Sequence, residues 1–233
     1  MNMVQTKNYK EPSWDLKEIL RYMGCKDSSE EINNMISQCI SEIKEKLSYK
    51  VVFTTLKKEE IYRFSTDCIQ DNNKNLPFGS ESLAKNLQNC EYIILFASTI
   101  GIEADRLISK YSRLSPAKAL CFQAIGAERI ESLCNTFNNE IRNELCIRGL
   151  SAKPRFSPGY GDFPLSAQKI IFDLLDCSRK IGLSLNESLI MSPSKSVTAI
   201  IGISNENPKK HNTGKPLSSC YGCSKTNCNF RKE

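Results

Sequence analysis

Lys153-Pro154-Arg155-Phe156-Ser157-Pro158-Gly159-Tyr160-Gly161-Asp162-Phe163-Pro164 gathers groups suited to holding a ligand. Its three prolines and two glycines exclude a regular helix or a central strand. Arg155 offers a rigid planar fork of donors that matches a carboxylate or a phosphate. Gly159 lets the backbone approach a ligand closely, and Tyr160 adds a ring that can stack and hydrogen-bond. The prolines hold the loop in one shape beforehand, which lowers the entropy lost on binding. The same composition also suits a rigid crossover whose arginine caps a helix. The residues alone weigh the two readings equally.

Cys220, Cys223 and Cys228 form a C-x2-C-x4-C array near the end of the chain. A tight turn between the first two points both thiolates to one side, as zinc or an iron–sulfur cluster requires. A fourth ligand would come from His211, another cysteine, a second chain or an exogenous group. The alternative is a tail of free, reactive thiols. Ser98-Thr99-Ile100-Gly101 could present amides to an anion at a strand end. It lacks the G-x-G-x-x-G spacing, so no Rossmann dinucleotide or methyltransferase site is expected and a structural turn reads better. His211 is the single histidine of the chain, which argues against a Ser-His-Asp or Cys-His nucleophile and a multi-histidine metal centre.

Arg155-Phe156-Ser157-Pro158-Gly159-Tyr160 resembles the R-x-x-x-G-Y signature of the activation domain of cobalamin-dependent methionine synthase. The resemblance continues through Pro164, the helix after it, Ile181-Gly182-Leu183-Ser184-Leu185, Glu187-Ser188-Leu189-Ile190-Met191 and Pro193-Ser194-Lys195-Ser196-Val197. It is strong over 155–203, looser from about residue 92, and only general in character before that. It implies a site for S-adenosylmethionine, with Arg155 holding the methionyl carboxylate and Ser157, Gly159 and Tyr160 lining the same cleft. Glu131 is similar in placement to an acidic residue near the family's site. Glu128 is the alternative, and either glutamate otherwise reads as a solvated helix face. The family's strand tyrosine has no counterpart, since Asn205-Glu206-Asn207-Pro208 stands in its place.

The resemblance further implies an accessory protein for reductive reactivation of methionine synthase or another corrinoid protein. It would place the methyl of S-adenosylmethionine for transfer to the cobalt of a cobalamin presented by the partner. The implied electron donor is flavodoxin-like. The competing reading is a metal- or iron–sulfur-binding interaction module that acts through the tail cysteines.

The elements that position these residues follow from patterning along 233 residues. Apolar residues make up 40% and charged residues 25%, enough for a packed core. The net charge is +6, of which residues 205–233 supply four, from six cations against two acids. So mild a balance gives little reason to expect a nucleic-acid partner. Eleven cysteines, mostly single within apolar patterns, imply buried free thiols in a reducing cytoplasm. Residues 1–12 lack the apolar core of a secretory signal, and the apolar runs 92–97 and 197–203 are too short to span a bilayer.

Residues 1–9 read as a loose or edge segment, and 14–23 as a short helix ending near Gly24. Ser28 and Glu31 fit a capping box before a helix with Ile32, Met35, Ile36, Cys39, Ile40, Ile43 and Leu47 on one face. Residues 50–56 and 60–64 read as hairpin strands, 81–87 as a helix, 92–97 as a buried strand and 102–111 as a helix. Ser115-Pro116 starts a long helix to about Arg148, with Gly126 as its kink point. A helix from Ala167 stops near Gly182, and 183–191 and 196–203 read as two strands. The expected fold is α+β, a single domain over 1–204 with a largely antiparallel twisted sheet flanked by helices. A basic, cysteine-rich tail over 205–233 follows it.

Overall fold

The computed structural model describes residues 3–25, 29–65 and 76–205. Its strands, in chain order, are β1 (Gln5–Tyr9), β2 (Tyr49–Lys57), β3 (Cys90–Thr99), β4 (Ser151–Ala152), β5 (Ser184–Leu185), β6 (Met191–Ser192) and β7 (Ser196–Ser204). Its helices are α1 (Leu16–Tyr22), α2 (Glu30–Ile43), α3 (Lys58–Ser65), α4 (Glu81–Asn86), α5 (Glu103–Leu114), α6 (Pro116–Ile147), α7 (Ala167–Leu175) and α8 (Cys177–Ile181). Five strands pair antiparallel in the order β1-β2-β3-β7-β4, while β5 and β6 make a small separate hairpin. The α+β expectation with an antiparallel sheet and flanking helices therefore holds.

Both faces of the sheet are covered, which explains the continuous apolar runs. Alternate residues of β3 serve different cores. Ile94 and Phe96 pack with residues of α1, α2, α5 and α6, whereas Ile93, Leu95 and Ala97 pack with residues of α3, α4, α7 and α8. A strand buried on both sides has no polar face to alternate with. Phe137 of α6 anchors the first core, with its ring centroid 5.2 Å from Phe53 and 5.0 Å from Phe96.

The spine of the first layer is α6, 32 residues long. The Ser115 hydroxyl caps it by accepting from the Lys118 amide, and Pro116 occupies the first turn, where its missing N–H costs nothing. The helix is unbroken at Gly126. That glycine serves a close approach instead: a Cβ there would lie 2.9 Å from Cε of Lys195, whose stem crosses the helix at this point.

Four local expectations are corrected. Residues 60–64 belong to α3, so β2 pairs with β1 and β3 and not with a hairpin partner at 60–64. Glu60 accepts the Lys57 amide at 3.1 Å, the reach-back half of a capping box, and Ile61 is the buried anchor. The cap of α2 is Ser29, one residue later than the pattern suggested, accepting from the Ile32 amide at 3.3 Å. The helix from Ala167 breaks at Asp176, which adopts φ +50° and divides α7 from α8. Residues 183–191 are not one strand: Asn186 turns the chain by accepting from the Ile190 amide at 2.8 Å, so only β5 and β6 pair.

Glu128 is also corrected. It is neither solvated nor near the proline-rich loop, but 2% exposed and paired at 2.5 Å with a fully buried Arg129. Arg129 donates to the carbonyls of Pro12 and Ser13 at 2.7 Å each, and its guanidinium lies 3.9 Å from the Trp14 ring centroid. Glu128 accepts from the Ser132 hydroxyl at 2.6 Å and the Asp15 amide at 3.3 Å. This buried pair ties the segment leading into α1 onto α6.

Candidate functional site

The proline-rich segment follows β4 along the edge of β7. The Lys153 amide donates to the Gly202 carbonyl at 2.8 Å, and Phe156 exchanges two 2.9 Å hydrogen bonds with Ile200. Strand-like alternation then sends neighbouring side chains to opposite faces. Phe156 packs in the second core, stacked 6.0 Å from Phe163, and Phe163 lies 5.4 Å from Phe78. Arg155 points the other way, towards α6.

Beyond Phe156 the chain makes two tight turns. The Tyr160 amide donates to the Ser157 carbonyl at 3.2 Å, the Phe163 amide to the Tyr160 carbonyl at 3.0 Å, and the Gly159 amide to the Phe163 carbonyl at 2.8 Å. Gly159 sits at φ +91°, where a side chain is strained, and a Cβ there would meet Cδ1 of Leu165 at 3.3 Å. The glycine expected to admit a ligand is thus also required by the turn. Asp162 anchors the loop to the start of α4. It accepts from the Ser80 hydroxyl at 2.6 Å and from the amides of Glu81 and Ser82 at 2.7 and 3.2 Å. These donors, the Ser80 hydroxyl foremost, hold its carboxyl below the usual carboxylate range.

Arg155 meets the carboxylate of Glu131 at 2.6 Å and the side-chain oxygen of Asn135 at 3.3 Å. The two partners stand one turn apart on α6. Burial works against the Arg155 charge, but Cys134, Glu131 and Tyr160 around it raise its pKa overall. Cys134 lies behind the pair, fully buried, with Sγ 3.2 Å from the Ser98 hydroxyl; burial pushes its thiol up to about 11. It is therefore a poor nucleophile. Asn138, on the next turn of α6, has a buried side-chain oxygen that finds no hydrogen-bond partner among the described residues. Tyr22, at the end of α1, borders the site: burial and the Glu131 carboxylate together push its phenol up. The Arg21 guanidinium covers its ring at 4.3 Å and is fixed by Glu18 at 2.6 Å.

The fold thus brings Arg155 and Glu131 into contact, with Tyr160 near them, 59% exposed at the rim, and Ser157 half-buried in the same turn. Glu131 is the glutamate that faces the loop, not Glu128. Tyr22 and Asn135 were missed. The spacing of Asn135 from Glu131 carried that signal, but nothing in the sequence points from α1 to α6. Ser98–Gly101 is a structural turn: the Ile100 amide donates to the Lys195 carbonyl at 3.2 Å and the Gly101 amide to the Thr99 hydroxyl at 3.2 Å. Cys220, Cys223 and Cys228 lie outside the described residues. Among those described, no three His, Cys, Asp or Glu side chains gather to hold a metal, and no helix is long and apolar enough to cross a membrane.

A guanidinium and a carboxylate side by side, both still partly exposed, complement a zwitterion. The one takes a carboxylate and the other an ammonium group. Residues 81–216, more than half the chain, match the family model described as the vitamin B12 dependent methionine synthase activation domain. The fold is similar to the crystal structure of the MetH reactivation domain bound to AdoHcy. The TM-score is 0.57 and the identity 16%, over 88% of this chain and 79% of that one. With its signature loop, its antiparallel sheet and a match across more than half its length, the chain belongs to the family of vitamin B12-dependent methionine synthase activation domains.

Proposed function

We propose that this protein binds S-adenosylmethionine between α6 and the loop over residues 153–164, and presents its methyl to a corrinoid protein for reductive reactivation. Methionine synthase is the first candidate for that client. The observation that carries the reading is the Arg155–Glu131 pair, 2.6 Å long, inside the segment that matches the family. The residues present fit the ligand's amino-acid end. Arg155 would take its carboxylate through two parallel N–H donors, and Glu131, released from Arg155, would take its ammonium. The turn at Ser157, Gly159 and Tyr160 would line the rest, partly through backbone groups. The solved domain bound to AdoHcy supports this choice of ligand.

S-adenosylmethionine supplies an electrophilic methyl on a sulfonium, and the acceptor is the cobalt of a cobalamin held by the partner. The chain's own part is binding and aim. The loop is fixed before ligand arrives, by the Phe156–Ile200 pairing on one side and Asp162 on the other. Holding two reactants in one geometry is itself a large rate contribution. No side chain has to act as nucleophile, which agrees with the inert Cys134. The electron would come from a flavodoxin-like donor. The tail cysteines Cys220, Cys223 and Cys228 enter the proposal as a separate zinc or iron–sulfur element.

Calorimetric titration of the anaerobically purified protein with S-adenosylmethionine and S-adenosylhomocysteine is the direct test. Saturable one-site binding is the expected result. A folded protein that binds neither overturns the reading. Zinc, iron and sulfide content of the same sample tests the tail.

A further inference from the structure

Resting on the reading of the site given above, we propose that Lys195 and the open edge of β7 beside it form the nucleoside subsite of the ligand. S-adenosylmethionine then runs from Arg155 along the seam between α6 and β7, with its ribose at Thr198 and its adenine at Lys195. Lys195 is held in place from both sides. The Ile100 amide donates to its carbonyl at 3.2 Å. The Ser194 amide donates to Asp105 at 2.7 Å, and the Ser196 hydroxyl donates to the Pro193 carbonyl at 2.8 Å. The stem of Lys195 lies in a notch of α6, where a Cβ at Gly126 would meet its Cγ, Cδ and Cε at 3.0, 3.1 and 2.9 Å.

Such an arrangement is unfavourable for the fold alone. A glycine inside a helix is less stable there than alanine. The Lys195 ammonium is half-buried and makes no hydrogen bond or ion pair with a described residue. Burial works against its charge, and Asp105, the carboxylate that favours it, is already taken by the amide and hydroxyl of Ser194. A glycine notch and an unpaired cation at one spot point to a group that arrives from outside.

The strand beside Lys195 is also unfinished. β7 pairs with β3 along its length, but on its other edge the described residues offer partners only to Ile200, Gly202, Ile203 and Ser204. The amide and carbonyl of Ile200 face outward to Phe156. Strand alternation turns those of Thr198 outward as well, where neither meets a backbone partner among the described residues. The Thr198 hydroxyl, in a residue 2% exposed, also finds no partner among them. Lys195 and Val197 are half-buried, which leaves this end of the seam open to solvent. The ribose diol supplies both a donor and an acceptor for the Thr198 carbonyl and amide, and the ring nitrogens of adenine accept from an ammonium. The spacing agrees. Glu131 follows Gly126 by about 7.5 Å along α6, and Ile200 follows Lys195 by about 17 Å along β7. An extended S-adenosylmethionine reaches from carboxylate to base over such an interval.

Calorimetric titration of the full-length protein with S-adenosylhomocysteine tests the subsite, with methionine and methylthioadenosine as competitors for the two ends of the ligand. Lys195→Met keeps the stem and removes the charge. It should melt at or above the unmodified protein, weaken S-adenosylhomocysteine and methylthioadenosine by roughly tenfold, and leave competition by methionine unchanged. Arg155→Ala should do the reverse, losing methionine and keeping methylthioadenosine. Binding of S-adenosylhomocysteine to Lys195→Met within twofold of the unmodified protein would overturn the subsite and leave the proposed function in place. Equal weakening of the two competitors would do the same, as would a lower melt, which marks Lys195 as a strut. Failure of the unmodified protein to bind S-adenosylhomocysteine would strike the proposed function, and the subsite with it.

Discussion

Replacing Arg155 by alanine separates a ligand-binding arginine from a structural one. The pair it forms with Glu131 is 2.6 Å long, yet the side chains keep 20% and 32% of their exposure. Water can take over Glu131 when Arg155 is gone, so the pair contributes at most about 1 kcal/mol to folding. The loop keeps its other supports, the Phe156–Ile200 bridge and the Asp162 anchor. Binding is a different matter. A bidentate, charge-assisted contact to the ligand carboxylate is worth roughly 2–4 kcal/mol in a desolvated cleft. Taking Arg155 away from Glu131 subtracts up to about 1 kcal/mol from that. The expected net loss is about 1–4 kcal/mol, or roughly 5- to 900-fold in Kd for S-adenosylmethionine. Arg155→Lys should recover only part of it, because an ammonium cannot reproduce the planar fork. The assay is calorimetric titration of a variant whose thermal transition stays cooperative. An affinity within twofold of the unmodified protein would refute the reasoning and leave Arg155 as a strut between the loop and α6.

Gly159→Val should cost stability as well as affinity, about 1–3 kcal/mol in denaturant melts, since position 159 sits at φ +91° against Leu165. Asp162 has a folded pKa below its unfolded one, so its contribution is complete above the unfolded value and fades as pH falls through the folded one. Asp162→Asn should therefore lower stability near neutrality and flatten its acid dependence; an unchanged pH profile would count against the anchor. Tyr22→Phe should leave the melt intact but alter affinity for S-adenosylmethionine, because Tyr22 borders Glu131; identical titrations would remove α1 from the site. A chain ending at Asn205, whose side chain donates to Glu91 at 3.1 Å, should melt cooperatively and bind S-adenosylmethionine while losing zinc or iron. Loss of the cooperative melt would show the tail to be part of the fold.

The sequence carried the fold class, most of the elements and the identity of the loop, because those rest on local chemistry. Ser115-Pro116 can only open a helix comfortably, and the loop's prolines forbid regular structure. Residues 60–64 misled because Ile61 and Tyr62 suit a strand in composition, whereas the reach of Glu60 to the Lys57 amide decides for helix. The turn at residues 186–190 was hidden by apolar Leu189 and Ile190, and Leu189 takes φ +62°. In the site, Arg155 and the Gly159 turn were visible as a contiguous motif. The choice of Glu131 over Glu128 was not, because it depends on how α6 is rotated against β7. That rotation is set by the packing of Phe137, Ile141 and Leu145, which no local pattern encodes. Tyr22 was invisible for the same reason, since α1 meets α6 only through tertiary packing.

The hold of Arg129 on Pro12, Ser13 and Trp14 bears on where this protein can be cut. The family match opens at residue 81, which invites the view that a portable module starts there. A piece trimmed to that boundary would lose β1 and β2, and so bare one long edge of β3. It would also leave a guanidinium and a carboxylate in the wall of α6 with their carbonyl, amide and indole partners removed. A piece that keeps these partners has to begin before β1, well ahead of residue 81.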